Sequence, residues 1–418
     1  MKTAILHFTA LPTVGGVEVV IQAHAEQFAA AGMPLTVITG RGAAESLPEG
    51  VKFICIDEVD TLHPEIAKAT AILATGKIPD NFDALVDILT QKLRPILTEF
   101  DQVIIHNIFS KNLNLPLTVA LVKLIDEGSL RHVIAWCHDL SWTSPRSLHE
   151  VYPRYPWTLL NTAHPKITYV VPSTHRQKEL AETFSLPLDA VCVISNGVDP
   201  CTLLALSEEG FKLVDQMKLW DAGMILLMPV RVTVAKNIEF ALEVLAELKK
   251  SQIHPKLVLT GPPDPHDPIS WAYYEKLRGQ RSELGLDGDM FFIYEMGPQP
   301  DSGFVIDNRM VAELYRVADV MFMPSHSEGF GMPVLEAGML GMPVVSTLIP
   351  AVEDHAQGHT LVFPSSMPAQ ELAEKLLDWM SEKPEYYTRV RARQRFSWRA
   401  IFRREILPLL ETTQVQDG

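Results

Sequence analysis

Cysteine is scarce: Cys55, Cys137, Cys192 and Cys201 are the only four in 418 residues. They are scattered, with no short-spaced pair and no Cys/His ligand pattern, which argues against a disulfide scaffold or a structural zinc site. Reduced thiols in a cytosolic, cytoplasmic enzyme are the expectation. Long apolar runs are also missing, so nothing approaches the ~20 residues of a membrane span. The start, Met1-Lys2-Thr3-Ala4-Ile5-Leu6, enters a strand-like run that Pro12 cuts short, unlike the apolar core of a signal peptide. Positive charge is in deficit. Lys and Arg number 36 against 51 Asp and Glu, a net charge of −15. That balance argues against nucleic acid or an anionic membrane as the main partner. An anionic substrate then needs a locally positive site. Low-complexity segments and short tandem repeats are absent as well. What is present, 47% hydrophobic and 21% charged residues, belongs to a soluble globular chain. Its length suits two domains of about 200 residues each.

Short β-rich runs alternate with helical ones. The first half reads strand Ala4–Thr9, helix Gly16–Ala31, and strands Leu35–Thr39 and Val51–Ile56. Helix Phe82–Phe100 follows, with Leu85, Ile88, Leu89, Leu93 and Leu97 on one stripe. Then come strand Val103–Ile105, helix Leu117–Ile125, strands His132–Trp136 and Tyr169–Val171, helix Arg176–Phe184 and strand Val191–Ile194. Ser195-Asn196-Gly197-Val198-Asp199-Pro200 carries a turn-forming Asn-Gly, and a less patterned stretch runs on to Trp220. The alternation restarts with strand Met224–Pro229, helix Ile238–Lys249, strand Lys256–Thr260, helix Trp271–Glu283 and strand Met290–Ile293. Helix Met310–Val317, strand Asp319–Met323, helix Pro333–Leu340 and strand Val344–Thr347 follow. Helical stretches Ala369–Met380 and Trp398–Leu410 finish the chain. The pattern predicts an α/β protein of two doubly wound parallel sheets facing a central cleft, each covered by helices. Ligands in such sheets sit beyond the carboxyl ends of the strands.

The strand-to-helix loops therefore hold the candidate site residues. The most informative runs from Ser325 to Glu336. Strand Val320-Met321-Phe322-Met323 stops at Pro324, a Gly-rich loop follows, and Pro333 opens a helix. That order aims free backbone N–H groups and a positive dipole end at one hollow. Gly329 and Gly331 admit close approach, and Glu328 and Glu336 frame the same space. Amides suit phosphate and carboxylates suit sugar hydroxyls. Gly15-Gly16 opens the first helix in a similar way. His138-Asp139 and His106-Asn107 end two strands of the first half; they offer polar contacts to an acceptor, and His138 beside Asp139 is also a candidate catalytic base. After the first strand of the second half, Arg231 and Lys236 supply a planar fork and a point charge able to neutralise a diphosphate. Asp287-Gly288-Asp289 has a metal-binding form but precedes a strand, so it belongs at the wrong end of the sheet. Asp264-Pro265-His266-Asp267 follows a strand and reads as a Pro-rich loop. The basic run from Arg389 to Arg404 contains Trp398, Phe402 and Ile406 at every fourth residue, the stripe of a packed terminal helix with a solvated basic face.

Ser327-Glu328-Gly329-Phe330-Gly331-Met332-Pro333-Val334-Leu335-Glu336 resembles the E-x7-E signature of retaining GT-B glycosyltransferases, the sucrose synthase and mannosyltransferase group of family four. The likeness spans nearly the whole chain, through Gly15-Gly16, Ile194-Ser195-Asn196-Gly197-Val198-Asp199, Arg231 and Lys236, and Thr260-Gly261. One departure is Val230, where the family often has glycine before the arginine. The resemblance implies a Rossmann-like acceptor domain over residues 1–198, rejoined by a last helix near 396–415, and a donor domain over 199–395. It implies that Arg231 and Lys236 clamp the donor diphosphate and that Glu328 bonds the transferred sugar. The amides of Phe330, Gly331 and Met332 contact phosphate or sugar, Glu336 binds the ribose diol, and His138 sits near the reacting sugar. Metal-free retention by front-face attack follows from the same likeness, with no cofactor beyond the nucleotide diphosphate sugar.

The expected reaction moves a hexosyl unit from that donor to an acceptor hydroxyl. Alternatives are a sugar-nucleotide epimerase or phosphorylase on the same scaffold, or a glycoside hydrolase using Glu328 and Glu336. A sugar-nucleotide sensor that binds without turnover is the non-enzymatic reading. Tyr294, at a strand end, is a candidate neighbour of the base, with UDP, GDP and ADP all open. Helix Phe82–Phe100 is poor in Lys and Arg, which favours a soluble acceptor over a lipid one. Oligomeric state is not legible.

Overall fold

The computed structural model of the chain describes residues 1–264, 268–297, 303–353 and 360–412. Contacts divide it into unit 1, Met1–Val198 with Trp398–Gly418, and unit 2, Asp199–Ser397.

Unit 1 holds a seven-stranded sheet of order β3-β2-β1-β4-β5-β6-β7. Its strands are β1 (Thr3–Leu6), β2 (Leu35–Thr39), β3 (Lys52–Cys55), β4 (Gln102–His106), β5 (His132–Trp136), β6 (Ile167–Val171) and β7 (Val191–Val193). Every pair is parallel. The helices are α1 (Gly16–Ala30), α2 (Pro64–Leu73), α3 (Phe82–Leu97), α4 (Leu115–Asp126) and α5 (Thr174–Phe184). Successive strand residues face opposite sides. Ala4 and Leu6 join Val103 and Ile105 in the core under α3 and α4, while Ile5 and Ile104 join Val20, Ile21 and Phe28 under α1. Burial on both faces explains the unbroken apolar runs.

Unit 2 repeats the plan with six parallel strands in the order β10-β9-β8-β11-β12-β13. These are β8 (Met224–Met228), β9 (Pro255–Leu259), β10 (Met290–Phe292), β11 (Val320–Met323), β12 (Val344–Thr347) and β13 (Thr360–Phe363). Its helices are α6 (Pro200–Leu203), α7 (Glu208–Gln216), α8 (Ile238–Lys250), α9 (Pro268–Glu283), α10 (Asn308–Val317), α11 (Met332–Met339), α12 (Pro350–Glu353), α13 (Ala369–Ser381) and α14 (Pro384–Arg395). Met224, Leu226 and Met228 face one core, and Ile225 and Leu227 the other. The chain then returns to unit 1 through α15 (Trp398–Ile401), a π-helical turn (Phe402–Ile406) and α16 (Leu407–Thr412). Trp398, Ile401, Phe402, Ile406 and Leu410 pack beside Phe28 and Trp136, so the apolar stripe is core.

Several elements differ from the sequence expectation. β1 ends at Leu6, and Thr9 makes only an isolated bridge to Arg41. The apolar stripe of Phe82–Phe100 is helical only to Leu97. Strand β13 and helices α2, α7 and α14 have no counterpart in that reading. In α14 only Arg393 is buried, so an apolar stripe could not announce it. The basic face there is not wholly solvated. Arg393 Nη1 and Nη2 each donate to Asp319 at 2.9 Å, and Arg389 Nε lies 3.3 Å from the same carboxylate. Asp319 in turn accepts from the Ile225 amide at 2.9 Å, tying the approach to β11 to β8.

Both sheets reverse direction beside their first strand, between β1 and β4 and between β8 and β11. Loops that leave adjacent strands at such a point diverge and leave a crevice.

Candidate active site

In unit 2 the two loops at the switch point are residues 229–237, after β8, and residues 324–331, after β11. A backbone bond from His326 N–H to the Ala235 carbonyl (2.9 Å) joins them. The side chains join them more strongly. Lys236 Nζ lies 2.7 Å from both oxygens of Glu328, and the Ser325 hydroxyl donates to Glu328 Oε1 at 2.6 Å. Lys236 and Glu328 are 20% and 9% exposed, so the ion pair is screened little by solvent. Glu328 thus has three donor contacts and a fixed direction. It also holds Lys236 at the mouth of the switch point, where a mobile ammonium would otherwise extend into water.

Beyond Glu328 the backbone turns at Gly331, whose φ of 82° is the left-handed region that a Cβ disfavours. Gly331 is the N-cap of α11 and no side chain caps it; Pro333 has no N–H and the Val334 amide donates to the Gly331 carbonyl at 2.9 Å, so the Met332 amide is what the first turn offers an anion. Phe330 and Met332 flank this turn, each about half exposed. One turn on, Glu336 is exposed and accepts from the buried Tyr315 hydroxyl at 2.7 Å. Burial and that carboxylate raise the Tyr315 phenol well above its usual range, which keeps it a proton donor.

Arg231 stands apart from this cluster. Its guanidinium is 68% exposed and lies 3.9 Å from Asp264. Gly261 packs so closely on the backbone of Val230 and Arg231 that a Cβ has no room, which sets the loop direction. Val230 itself is buried in the core. Tyr294 lies in the turn after β10, half-buried among Trp271, Tyr274 and Gly303. Asp287-Gly288-Asp289 precedes β10, with Asp289 paired to Lys249 and Lys256 at 2.7 and 2.8 Å. In Asp264-Pro265-His266-Asp267, the last three residues lie outside the described residues. Among the described residues no group of three His, Cys, Asp or Glu is placed to hold a metal.

Unit 1 builds its switch point from different material. Strand β1 is followed by His7, β4 ends in His106, and β5 is followed by Cys137 and His138. His7 Nδ1 lies 3.0 Å from the His106 carbonyl, and His106 Nδ1 lies 2.9 Å from His138 Nε2. The His106 ring stacks between His138 (12° between planes) and Trp136 (20°). Asn107, at φ 59°, accepts the His138 amide at 2.8 Å and the Asp139 amide at 3.3 Å. Asp139 turns outward to Arg176 at 3.2 Å. From α1, His24 adds a fully buried imidazole neither of whose nitrogens has a partner among the described residues.

Burial pushes the His138 and His24 imidazoles down to about 3, with His7 adding to the effect at His138 and His138 at His24. His106 is held well below its usual range, first by burial and then by the other imidazoles, and His7 is lowered by burial. All four are neutral at pH 7. The buried Glu18 carboxylate closes the group, accepting from Thr9 and lying 3.8 Å from His7 Nε2. It folds over Gly15, where a Cβ has no room, while Gly16 is open.

The structure therefore brings together Lys236 and Glu328, and separately His106 and His138. It leaves Arg231 beside Asp264 and Glu336 with Tyr315. Sequence reading missed His7, Thr9, Glu18, His24, Ser325 and Tyr315. Its placement of His7 inside a strand hid the one available signal, that three neighbouring strands each run into histidine.

A family profile described as Glycosyltransferase Family 4 matches residues 14–201, and one described as Glycosyl transferases group 1 matches residues 218–396. Together they take in the switch point of unit 2, the β4 side of that in unit 1, and most of the chain. The chain belongs to this glycosyltransferase family. A glycosyltransferase of Methanocaldococcus jannaschii is 32% identical over 171 residues, 40% of this chain and 39% of that one. The D-inositol 3-phosphate glycosyltransferase of Acidothermus cellulolyticus is 28% identical over 191 residues, 43% of this family-four chain and 39% of that one. The trehalose synthase of Pyrococcus horikoshii is 24% identical over 271 residues, 62% and 55% of the two chains. The chain thus spans less than two thirds of the length of the curated relatives it matches. The crystal structure of Anabaena HepE in complex with UDP covers 99% of this chain and 100% of that one at 18% identity, with a TM-score of 0.35. So weak a likeness bears on neither fold nor ligand. No described helix is long and apolar enough to cross a membrane.

Proposed function

We propose that this family member is a retaining, metal-independent glycosyltransferase that moves a hexosyl unit from a nucleotide diphosphate sugar to an acceptor hydroxyl. Unit 2 takes the donor and unit 1 the acceptor. The observation that carries the reading is the Lys236–Glu328 pair at the β8/β11 switch point, beside the uncapped start of α11. It supports the reading because a cation, a carboxylate and the first amide of a helix together suit a phosphate and a sugar hydroxyl.

Lys236 and Arg231 neutralise the charge that grows on the leaving diphosphate, usually the largest catalytic contribution. Arg231 is exposed and loosely paired, so its fork can turn to the phosphates at little cost. The amides of Phe330, Gly331 and Met332 contact phosphate or sugar, with Gly329 allowing close approach. Glu328, pre-oriented by Ser325 and Lys236, accepts from hydroxyls of the transferred sugar. Glu336 takes the ribose diol with the oxygen that Tyr315 leaves free, and Tyr294 lies by the base. In unit 1 the neutral His138 contacts the reacting sugar, held by His106, while Gly15, Gly16 and Asp139 border the acceptor. Front-face attack lets a diphosphate oxygen receive the acceptor proton, which suits a site whose imidazoles resist protonation.

The relatives' names favour small, soluble acceptors: D-inositol 3-phosphate glycosyltransferase, trehalose synthase, and the mannosylglucosylglycerate synthase of Petrotoga mobilis. The test is donor turnover by Arg231→Ala and Lys236→Ala proteins. Each is expected to lose about 10²–10³ in kcat. Near wild-type rates in both overturn the assignment.

A further inference from the structure

Unit 2 contains a cavity of about 740 Å³ that the proposed reaction does not use. Its lining comes from the approaches to β11 and β12, the first residue of β13, the end of α10, Val334 and Gly338 of α11 and the start of α14. These are the amino ends of the strands, whereas the Lys236–Glu328 cluster lies beyond the carboxyl ends. The two sites are at opposite edges of one sheet. The volume falls within the range that holds small metabolites.

The charge of the lining runs against that of the chain. Arg316, Lys383 and Arg389 all face the cavity, in a protein of net charge −15. Asp319 also lines it, but both its oxygens are taken by Arg393 at 2.9 Å, with Arg389 at 3.3 Å. Lys383 has no carboxylate in ion-pair range among the described residues; its ammonium rests 4.0 Å over the Trp379 ring. Arg316 is oriented by the Leu204 and Ala205 carbonyls and meets no carboxylate among the described residues. Glu385, exposed, is the remaining acid of the lining. A hollow with surplus cations focuses field and concentrates anions.

The wall also reaches the candidate active site. Tyr315 lines the cavity, and its hydroxyl donates to Glu336 at 2.7 Å. Val334 and Gly338, on α11 either side of Glu336, are part of the same wall. We infer that this cavity is a second ligand site for a small phosphate monoester such as a sugar phosphate, whose occupancy is transmitted to Glu336 through Tyr315. The coupling rests on the reading of Glu336 as a donor ligand; the site itself does not.

Calorimetric titration of the full chain with glucose 6-phosphate, inorganic phosphate and glucose tests the site. Binding of glucose 6-phosphate, weakened at least tenfold by Lys383→Glu and within about threefold of wild type in Lys383→Arg, is the expected result. Phosphate binding as tightly identifies free phosphate as the ligand and overturns the sugar phosphate. No heat from either anion, or glucose binding equally well, overturns the site. So does binding that Lys236→Ala or His138→Ala abolishes and Lys383→Glu leaves intact, because the probe is then in the candidate active site. Coupling is read from nucleoside diphosphate affinity with and without saturating glucose 6-phosphate. A change of about fivefold or more is expected, absent in Tyr315→Phe; no change in wild type overturns it. If no nucleoside diphosphate binds at all, the donor reading fails while the cavity titration stands on its own.

Discussion

The two switch points share a topology and differ in chemistry. In unit 2 the loops after β8 and β11 hold charge: an ammonium against a carboxylate, with an exposed guanidinium nearby. In unit 1 the ends of β1, β4 and β5 gather imidazoles that burial keeps neutral. The difference teaches what each strand end is able to recognise. Fixed charge suits an anion such as a phosphate, and neutral hydrogen-bonding rings suit hydroxyls. A parallel sheet supplies the place; side chains of the same loops decide the ligand.

Acid breaks this contrast most strongly. Above an imidazole's ordinary value of about 6.5 both folded and unfolded chains are neutral at these sites. Below it the unfolded chain takes up protons that the folded chain refuses, so stability falls as pH falls. His24 and His138, with folded values of about 3, lose stability over the whole span from about 6.5 down to about 3. Together they cost roughly 4 kcal/mol by pH 5. Thermal unfolding of the full chain from pH 7 to 5 measures it, and a flat midpoint would falsify the neutral cluster. The charged end responds to chemistry instead. Glu328→Gln removes the partner of Lys236 and lowers kcat/KM by about 10²-fold, some 3 kcal/mol, read in donor turnover. An unchanged rate removes Glu328 from the site. Glu336→Gln weakens nucleoside diphosphate binding about tenfold, near 1.4 kcal/mol, measured by calorimetry, with unaltered affinity as the contrary result. The smallest effect sharpens the buried end. His24→Leu keeps volume and removes two nitrogens that have no partner among the described residues, so stability at pH 7 rises by about 1 kcal/mol and acid sensitivity lessens. Denaturant unfolding that shows a loss instead refutes that account.

Much of the fold was legible because both sheets are buried on both faces. Runs such as Val320-Met321-Phe322-Met323 have few structures open to them other than a central strand. Elements without an apolar stripe escaped. Helix α14 is held by Arg393 on Asp319, a long-range ion pair with no local signature. Strand β13 is partly exposed. In the candidate site, Lys236, Glu328, His106 and His138 stand out as residues at strand ends. Their partners do not. Ser325, Tyr315 and Glu18 look like ordinary surface positions until the chain folds over them.

By itself the sequence determined the strands buried on both faces and which loops follow them, since period and punctuation are local properties. Tertiary structure alone decided the pairings. Lys236 meets Glu328 and leaves Arg231 beside Asp264 because β8 and β11 are neighbours although 91 residues lie between the end of one and the start of the other. Four histidines resist protonation because strands and a helix far apart in sequence bury them together, and burial is a property of the packed chain.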